Sequence, residues 1–277
     1  MTMTETRVHP SAVVDPKAEL GTGVQIGPGC VIGPDVTIGD NTRLDSYVIV
    51  SGNVQIGQSN HIYSFATLGS DPQDLKYKGE PTSLICGDHN LIREYANLSL
   101  GTIQGGGVTE VGSHNLFMVH THIAHDCKIG SHCIFANSVS LGGHIEVCDH
   151  VVMGGHVGAH QFVRVGEHAM VGGMSALTQD VPPFFTVQGN HASPCGLNIV
   201  GLRRSGFDSR RIQCIKDMYK TLYRSNLTMD EACQKISQQF EDEDDAKTLT
   251  SFLSQSTRGI CRPSIRSQPR REGAMHA

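Results

Sequence analysis

From Val8 onward the chain repeats every six residues: VHPSAV, VDPKAE, LGTGVQ, IGPGCV, IGPDVT, IGDNTR, LDSYVI, VSGNVQ, IGQSNH. Position one of each hexad is Val, Ile or Leu. The register resumes at CGDHNL and IREYAN, then runs from VGSHNL at Val111 through IAHDCK, IGSHCI, FANSVS, LGGHIE, VCDHVV, MGGHVG, AHQFVR, VGEHAM and VGGMSA toward Pro182. A period of six matches neither the 3.6 of a helix nor the alternation of an amphipathic strand. It matches a parallel β-helix, in which each hexad supplies a short strand and a corner. The aliphatic side chain points inward, and Gly, Asn or Asp is expected at the corner, where the backbone turns left-handed. Three hexads make one triangular coil, and the aliphatic stack between coils serves as the core. That explains how the chain manages with 5% aromatic residues, no Trp and 31 Gly.

The hexads place the β-helix over residues 1–190, with its register broken near 70–83 (SDPQDLKYKGEPTS) and 104–110 (QGGGVTE). In repeat proteins such insertions become loops on one face, often the binding face. Pro182-Pro183 marks an expected end of the solenoid. A small α-helical domain is expected over 191–262. Ile212, Ile215, Tyr219, Leu222 and Tyr223 recur at helical spacing, and TMDE at 228–231 is a capping-box pattern. Ala232, Ile236 and Phe240 continue a second helix, and a third is expected near 246–256. The acidic run 241–245 suits a helix start. Residues 263–277 have little to bury and are expected to be disordered.

Charge and cysteine usage narrow the function. With 22 Lys+Arg, 27 Asp+Glu and a formal charge of -5, there is no general field for holding nucleic acid. No stretch approaches the roughly 18 apolar residues of a membrane span, and no secretory leader is evident at the start. Nine scattered cysteines without a CxxC pair fit reduced thiols in the cytoplasm, with neither a disulfide framework nor a cysteine-built zinc site. Basic residues cluster locally instead. Arg203, Arg204, Arg210, Arg211, Lys216, Lys220 and Arg224 form a patch suited to phosphates or an acidic protein partner, or a solvated helical face.

Because the register is unbroken from Val111 to Pro182, residues 18 apart sit one coil above another, about 4.8 Å away. His125, Gly143 and Gln161 share one column, and Asp126, His144 and Phe162 the next. His160 lies beside Gln161, and His122 precedes His125 by half a hexad. A His with an adjacent carboxylate suits a general base, since imidazole titrates near neutral pH. The Gly143 N–H, one coil over, is a candidate oxyanion donor. With no evident Ser or Cys nucleophile in this set, the arrangement suggests direct acyl transfer to a hydroxyl. Some of the 15 histidines fall in turns whatever the chemistry. Metal binding competes for the same residues, because His120, His122, His125, His144 and His160 could supply a zinc site between subunits. That alternative is a trimeric β-helical hydratase of the gamma carbonic anhydrase type. A non-enzymatic β-solenoid scaffold would instead keep regular faces without site loops.

Several segments outside the simple repeat carry a resemblance. HIAHDC at 122–127, QDLKYKGEPT at 73–82, GTIQGGG at 101–107, QDVPPF at 179–184, QGNHASPCGLN at 188–198 and GLRRSGF at 201–207 resemble the bacterial acyl-[acyl-carrier-protein]–UDP-N-acetylglucosamine O-acyltransferases, the LpxA family. The resemblance runs from about Val8 to Arg262. It implies a cytoplasmic homotrimer of left-handed β-helices with active sites between subunits and no cofactor. The implied reaction is the first of lipid A synthesis: an (R)-3-hydroxyacyl group moves from the phosphopantetheine of acyl carrier protein to the glucosamine 3-hydroxyl of UDP-N-acetylglucosamine. A 3-amino acceptor sugar would suit the same base. By this resemblance His125 is the base, Asp126 its orienting partner and Gly143 the oxyanion donor. Asp74, Lys76, His122, His144, His160, Gln161, Asn198 and Arg204 would contact substrate. Gly173 would border an acyl groove along the subunit seam. Ser205 departs from the family, where another Arg is common. Nor does a uridine-binding domain precede the hexads, as it would in the later N-acyltransferase of the same pathway.

Overall fold

The computed structural model describes residues 5–263. Most strands are only two residues long and pair in parallel into three sheets of eleven, nine and eight strands, which wind as a left-handed β-helix. The first sheet contains His61–Ile62, Leu116–Phe117 and Met170–Val171; the second contains His122–Ile123, Ser140–Leu141 and Gly158–Ala159; the third contains Lys128–Ile129 and Glu146–Val147. The first hexad position is buried throughout most of the coil, as at Ile32, Ile38, Leu44 and Leu141. A second inward position, four residues later, is equally buried: Val24, Cys30, Val36 and Val48. Along the corner leading from the third sheet to the first, this second position becomes polar. The amides of Asn60, Asn90, Asn115 and Cys133 donate in turn to side-chain oxygens of Thr42, Asn60, Asn90 and Asn115 at 2.7–3.1 Å. Each buried side-chain oxygen thus finds a donor one coil on.

The corners differ from the sequence expectation. Left-handed backbone is held mainly by larger residues, including Tyr47, Phe65, Tyr95 and eight histidines with φ of 55–61°. Stacking offers a physical reason, because a ring at this position lies on the ring of the coil below. His89, His114, His132, His150 and His168 form one such ladder, with centroids 4.5–4.9 Å apart. Phe207 meets its end edge-on, 5.0 Å from His168.

The parallel coil continues past Pro182-Pro183, and a return strand beyond residue 190 is added to its first sheet. Phe185–Gln188 pairs in parallel with Met170–Val171, and Ser193–Leu197 returns antiparallel along it. Helices follow at Ile199–Arg204 (α1), Ser209–Arg224 (α2), Met229–Gln239 (α3) and Asp244–Ser254 (α4). The short α1 carries no long apolar periodicity and was not foreseen. Thr228 and Glu231 make the reciprocal capping box of α3, and the acidic run leads into α4 through Glu243 as its N-cap. Phe184, Phe185 and Phe207 join the helical core with Leu202, Ile215 and Leu249. Buried Asp180 ties the segment after α4 back to the coil, accepting from Arg164 N–H at 2.9 Å and Ser256 Oγ at 2.7 Å. Apart from its first residue, the 263–277 tail lies outside the described residues. Among those described, no helix is long and apolar enough to cross a membrane.

The ladder has a consequence for acid stability. Burial, then His150 and Arg211, push His168 from the ordinary value of 6.5 down to about 4. The folded protein therefore holds a neutral ring where the unfolded chain binds a proton. Its contribution is present above pH 6.5 and is lost as pH falls toward 4. Phe162 and Phe184 already occupy equivalent left-handed positions, so His168→Phe is expected to fit. It should flatten the fall in melting temperature between pH 6.5 and 4; an unchanged slope would place the acid sensitivity elsewhere.

Candidate active site

The 18-residue column holds on the outer face of the second sheet, where His122 pairs with Ser140 and Ser140 with Gly158. These residues floor an open groove, whose walls include Gln73 from the 70–83 insertion together with His125, Gly143, His160 and Gln161. A methyl group at Gly158 would meet nothing within 4 Å, leaving room for a ligand over the floor.

At the corner beside the groove, His125 Nδ1 lies 2.7 Å from Asp126 Oδ2. The Asp126 side chain is 1% exposed. Its Oδ1 accepts from the Thr102 N–H at 2.7 Å and its Oδ2 from the Thr102 hydroxyl at 2.6 Å. A carboxylate receiving fixed N–H and O–H donors accepts from Nδ1–H as well, which leaves the His125 Nε2 lone pair available as a base. Asp126 is itself left-handed at φ 60°, and its N–H donates to Thr109 Oγ1 at 2.8 Å.

Two neighbouring imidazoles are held toward their neutral forms. His144 packs edge-on to His125 at 5.0 Å and flat against Phe162 at 4.4 Å, with Nδ1 3.7 Å from Asp126 Oδ2. Burial lowers its pKa most; Asp126 opposes that, His125 adds to it, and Asp74 opposes it more weakly. Burial, followed by the charge of His125, likewise lowers His122. The His122 Nδ1–H donates to Asn97 Oδ1 at 2.8 Å, while Asn97 Nδ2 donates to Ser70 and Thr67 hydroxyls. His160 Nδ1 donates to the Gln161 carbonyl at 3.1 Å. Asp74 accepts the Lys76 N–H at 2.9 Å, a local turn that shapes the insertion and leaves Lys76 exposed.

Gly143 combines two properties. A Cβ there would lie 2.4 Å from His125 Cε1 and 2.7 Å from Nε2, so the imidazole occupies space that any other residue would need. Its N–H donates no hydrogen bond among the described residues. At the matching position along the third-to-first corner, the N–H groups of Thr22, Gln58, Ser113 and Ser131 are each capped by an Asp or Ser oxygen from the next coil. Gln161 occupies that next-coil position above Gly143 and does not cap it.

The remaining sequence candidates are dispersed within one chain. Asn198 is buried, its Oδ1 accepting Gly201 N–H as the N-cap of α1 and its Nδ2 donating to His168 O. Arg204 ends α1 and is exposed. Gly173 lies on the corner between the first and second sheets, against Gly155. The basic patch is partly neutralised internally: Arg211 pairs with Asp245, Arg210 with Glu243 and Lys220 with Asp217. His120 stacks on Tyr95, also on the first-to-second corner, so His120 and His125 do not form a ligand pair. His125, Asp126 and His144 do gather their donor atoms within 4.8 Å, but Asp126 already serves three internal donors.

Thr102, Thr109, Asn97, Gln73 and Ser140 were missed in the sequence. Four lie in or beside the insertions or outside the unbroken register; Ser140 is given by the 18-residue column, between His122 and Gly158. Among the described residues, no imidazole bonds the Ser140 hydroxyl. Cys127, next to the pair, is buried, donates to Gly142 O at 3.2 Å, and has its thiol pushed up to about 12 by burial.

Comparison with known proteins adds family relationships. Residues 180–261 match the family model described as UDP N-acetylglucosamine O-acyltransferase, domain 2, and residues 5–39 and 35–70 match the bacterial transferase hexapeptide model. The LpxA structure from Acinetobacter baumannii is 47% identical with a TM-score of 0.90, covering 92% of this chain and 99% of its own. The Francisella novicida UDP-N-acetylglucosamine acyltransferase is 39% identical at TM-score 0.92, with 98% and 100% covered. The Arabidopsis UDP-N-acetylglucosamine acyltransferase is 32% identical at TM-score 0.79, with 92% and 100% covered.

Proposed function

The chain belongs to the UDP-N-acetylglucosamine O-acyltransferase (LpxA) family, and from that premise we propose that it acylates the 3-hydroxyl of UDP-N-acetylglucosamine in lipid A biosynthesis. The acyl donor is an (R)-3-hydroxyacyl thioester on the phosphopantetheine of acyl carrier protein, in the cytoplasm. One observation carries the mechanism: an imidazole oriented by a buried carboxylate opens onto a groove beside an uncapped backbone N–H. His125 Nε2 takes the proton of the sugar 3-hydroxyl as its oxygen attacks the thioester carbon. The Gly143 N–H receives the developing oxyanion. Collapse breaks the carbon–sulfur bond, and the departing thiolate takes the proton from His125. His144, His160, Gln161 and His122 line the path of the nucleotide sugar, with Asp74 and Lys76 on the loop above. The buried Cys127 thiol, with its raised pKa, and a Ser140 hydroxyl that meets no base among the described residues favour direct transfer over an acyl-enzyme. The scheme calls on no metal or resident cofactor.

We assign Asn198, Arg204 and Gly173 to the seam with a neighbouring copy. Support comes from the outer face of the first sheet, where Arg7, Gln25, Arg43 and His61 give way to Leu91, Leu116, Ile134, Val152 and Met170 in register. An uncovered aliphatic stripe of this kind suits a second copy, and the family premise makes the assembly a homotrimer. The part of the basic patch that has no ion pair among the described residues, including Arg203 and Lys216, suits the acidic carrier protein.

The test is formation of a sugar ester from UDP-N-acetylglucosamine and 3-hydroxyacyl carrier proteins of several chain lengths. With no ester from any chain, and an amide from the 3-amino sugar, the acceptor assignment would have to change. In the same assay Gly173→Met, which fills space beside Gly155, is expected to shift preference toward shorter chains. An unchanged preference would remove Gly173 from the acyl groove.

A further inference from the structure

We propose that Thr102 is a positioning residue for the reaction, acting through Asp126 to fix the orientation and basicity of His125; this rests on the reading of His125 as the base. Thr102 is 1% exposed and uses both of its donors on one carboxylate, its N–H on Oδ1 and its hydroxyl on Oδ2. The backbone makes this double contact possible. Thr102 is extended, with φ -121° and ψ 153°, and serves as N-cap of the single 3-10 turn Ile103–Gly105. Its Oγ1 also accepts the Gly105 N–H at 3.3 Å, which directs the hydroxyl proton toward Asp126. Hydrogen bonds to a carboxylate are stronger than neutral ones, and more so in a buried site.

Gly105 closes the carboxylate from the adjoining side. A Cβ at 105 would stand 2.0 Å from Asp126 Cγ, so the turn lies directly against the carboxylate. Thr109, beyond the turn, holds the Asp126 N–H. The 104–110 insertion and the residue before its turn therefore grip Asp126 at both its side chain and its backbone. In the regular coils no insertion is present to do this, which gives the break in register a role.

The sign of the effect follows from charge. The titratable groups around the pair are His144, with Nδ1 3.7 Å from Asp126 Oδ2, His122, and Asp74 beyond His144; they are the same in every variant. Removing the hydroxyl withdraws a donor from the carboxylate, and the His125–Asp126 pair then holds an added proton more tightly. A base that is protonated more readily is active only at higher pH.

Thr102→Val keeps the side-chain shape and removes the hydroxyl. It is expected to lower kcat about tenfold, to leave KM for the nucleotide sugar within about twofold, and to move the acid limb of the kcat profile to higher pH. Thr102→Ser restores the donor and is expected to recover most of the rate and the wild-type limb. Gly105→Ala, which leaves the hydroxyl in place but crowds the carboxylate, is expected to impair kcat as well. Melting temperatures show whether each variant is folded. Independently of turnover, the Nδ1 proton of His125 in 15N-histidine-labelled protein, assigned with His125→Ala, is expected to shift in Thr102→Val and return in Thr102→Ser. An unmoved resonance overturns the proposal even if the wild type transfers no acyl group, whereas a moved resonance without wild-type transfer overturns the assigned reaction and leaves the hold on His125 standing. Equal kcat and pH limb in folded Thr102→Val, or equal impairment of the Ser and Val variants, overturns it too.

Discussion

Exchange of His125 for alanine is expected to slow acyl transfer about a thousandfold, within the range found for loss of a positioned general base, while the melting temperature changes little. The ring lies in the outer groove rather than in the aliphatic stack, so its removal leaves the coil core intact. Asp126 stays bound to Thr102 and Thr109, but its carboxylate has no route to the sugar hydroxyl without the imidazole. The KM for the nucleotide sugar is expected to change little, because the groove floor and His160 remain. Steady-state transfer by the variant and the wild type checks this. A loss below tenfold in a folded variant would mean that another group takes the proton.

Gly143→Ala is expected to cost roughly 10²–10³ in kcat, as for loss of one oxyanion donor, despite adding only one methyl group. That methyl would start 2.4 Å from His125 Cε1, so ring or backbone must move. Either movement would separate the proposed base from the N–H proposed to face the developing charge. The two effects act on the same step, and kcat should fall far more than affinity for the sugar. Thermal melting and the transfer assay together check the prediction; a folded variant with kcat within a few-fold of wild type would show that neither the close approach nor the N–H matters to the rate.

The hexad register made much of this legible. Its 18-residue spacing put Gly143 over His125 and His144 over Asp126 because one coil equals three unbroken hexads over that region. The same ruler fails where the chain is inserted. Thr102 reaches Asp126 from 24 residues away and Asn97 reaches His122 from 25, separations that only the path of the 104–110 loop determines. The ring ladders were missed for another reason. Residue preference alone points to Gly, Asn and Asp for left-handed backbone, whereas stacking every coil lets His, Tyr and Phe hold it. The hairpin through Ser193–Leu197 and the helix-capping use of Asn198 depend on how the two cores meet, which periodicity within either one does not encode. Gly173 and Arg204, finally, stand apart from the groove in one chain; any part they play there belongs to an assembly that a single register cannot describe.

The most direct measurement is a rapid-quench single turnover of wild-type protein with 3-hydroxyacyl-labelled carrier protein and UDP-N-acetylglucosamine, following label on carrier, sugar and this chain together. Label is expected to leave the carrier and enter the sugar ester at one rate, with none held covalently on the chain. Label that accumulates on the chain before reaching the sugar, or that never reaches the sugar, would contradict direct transfer by His125.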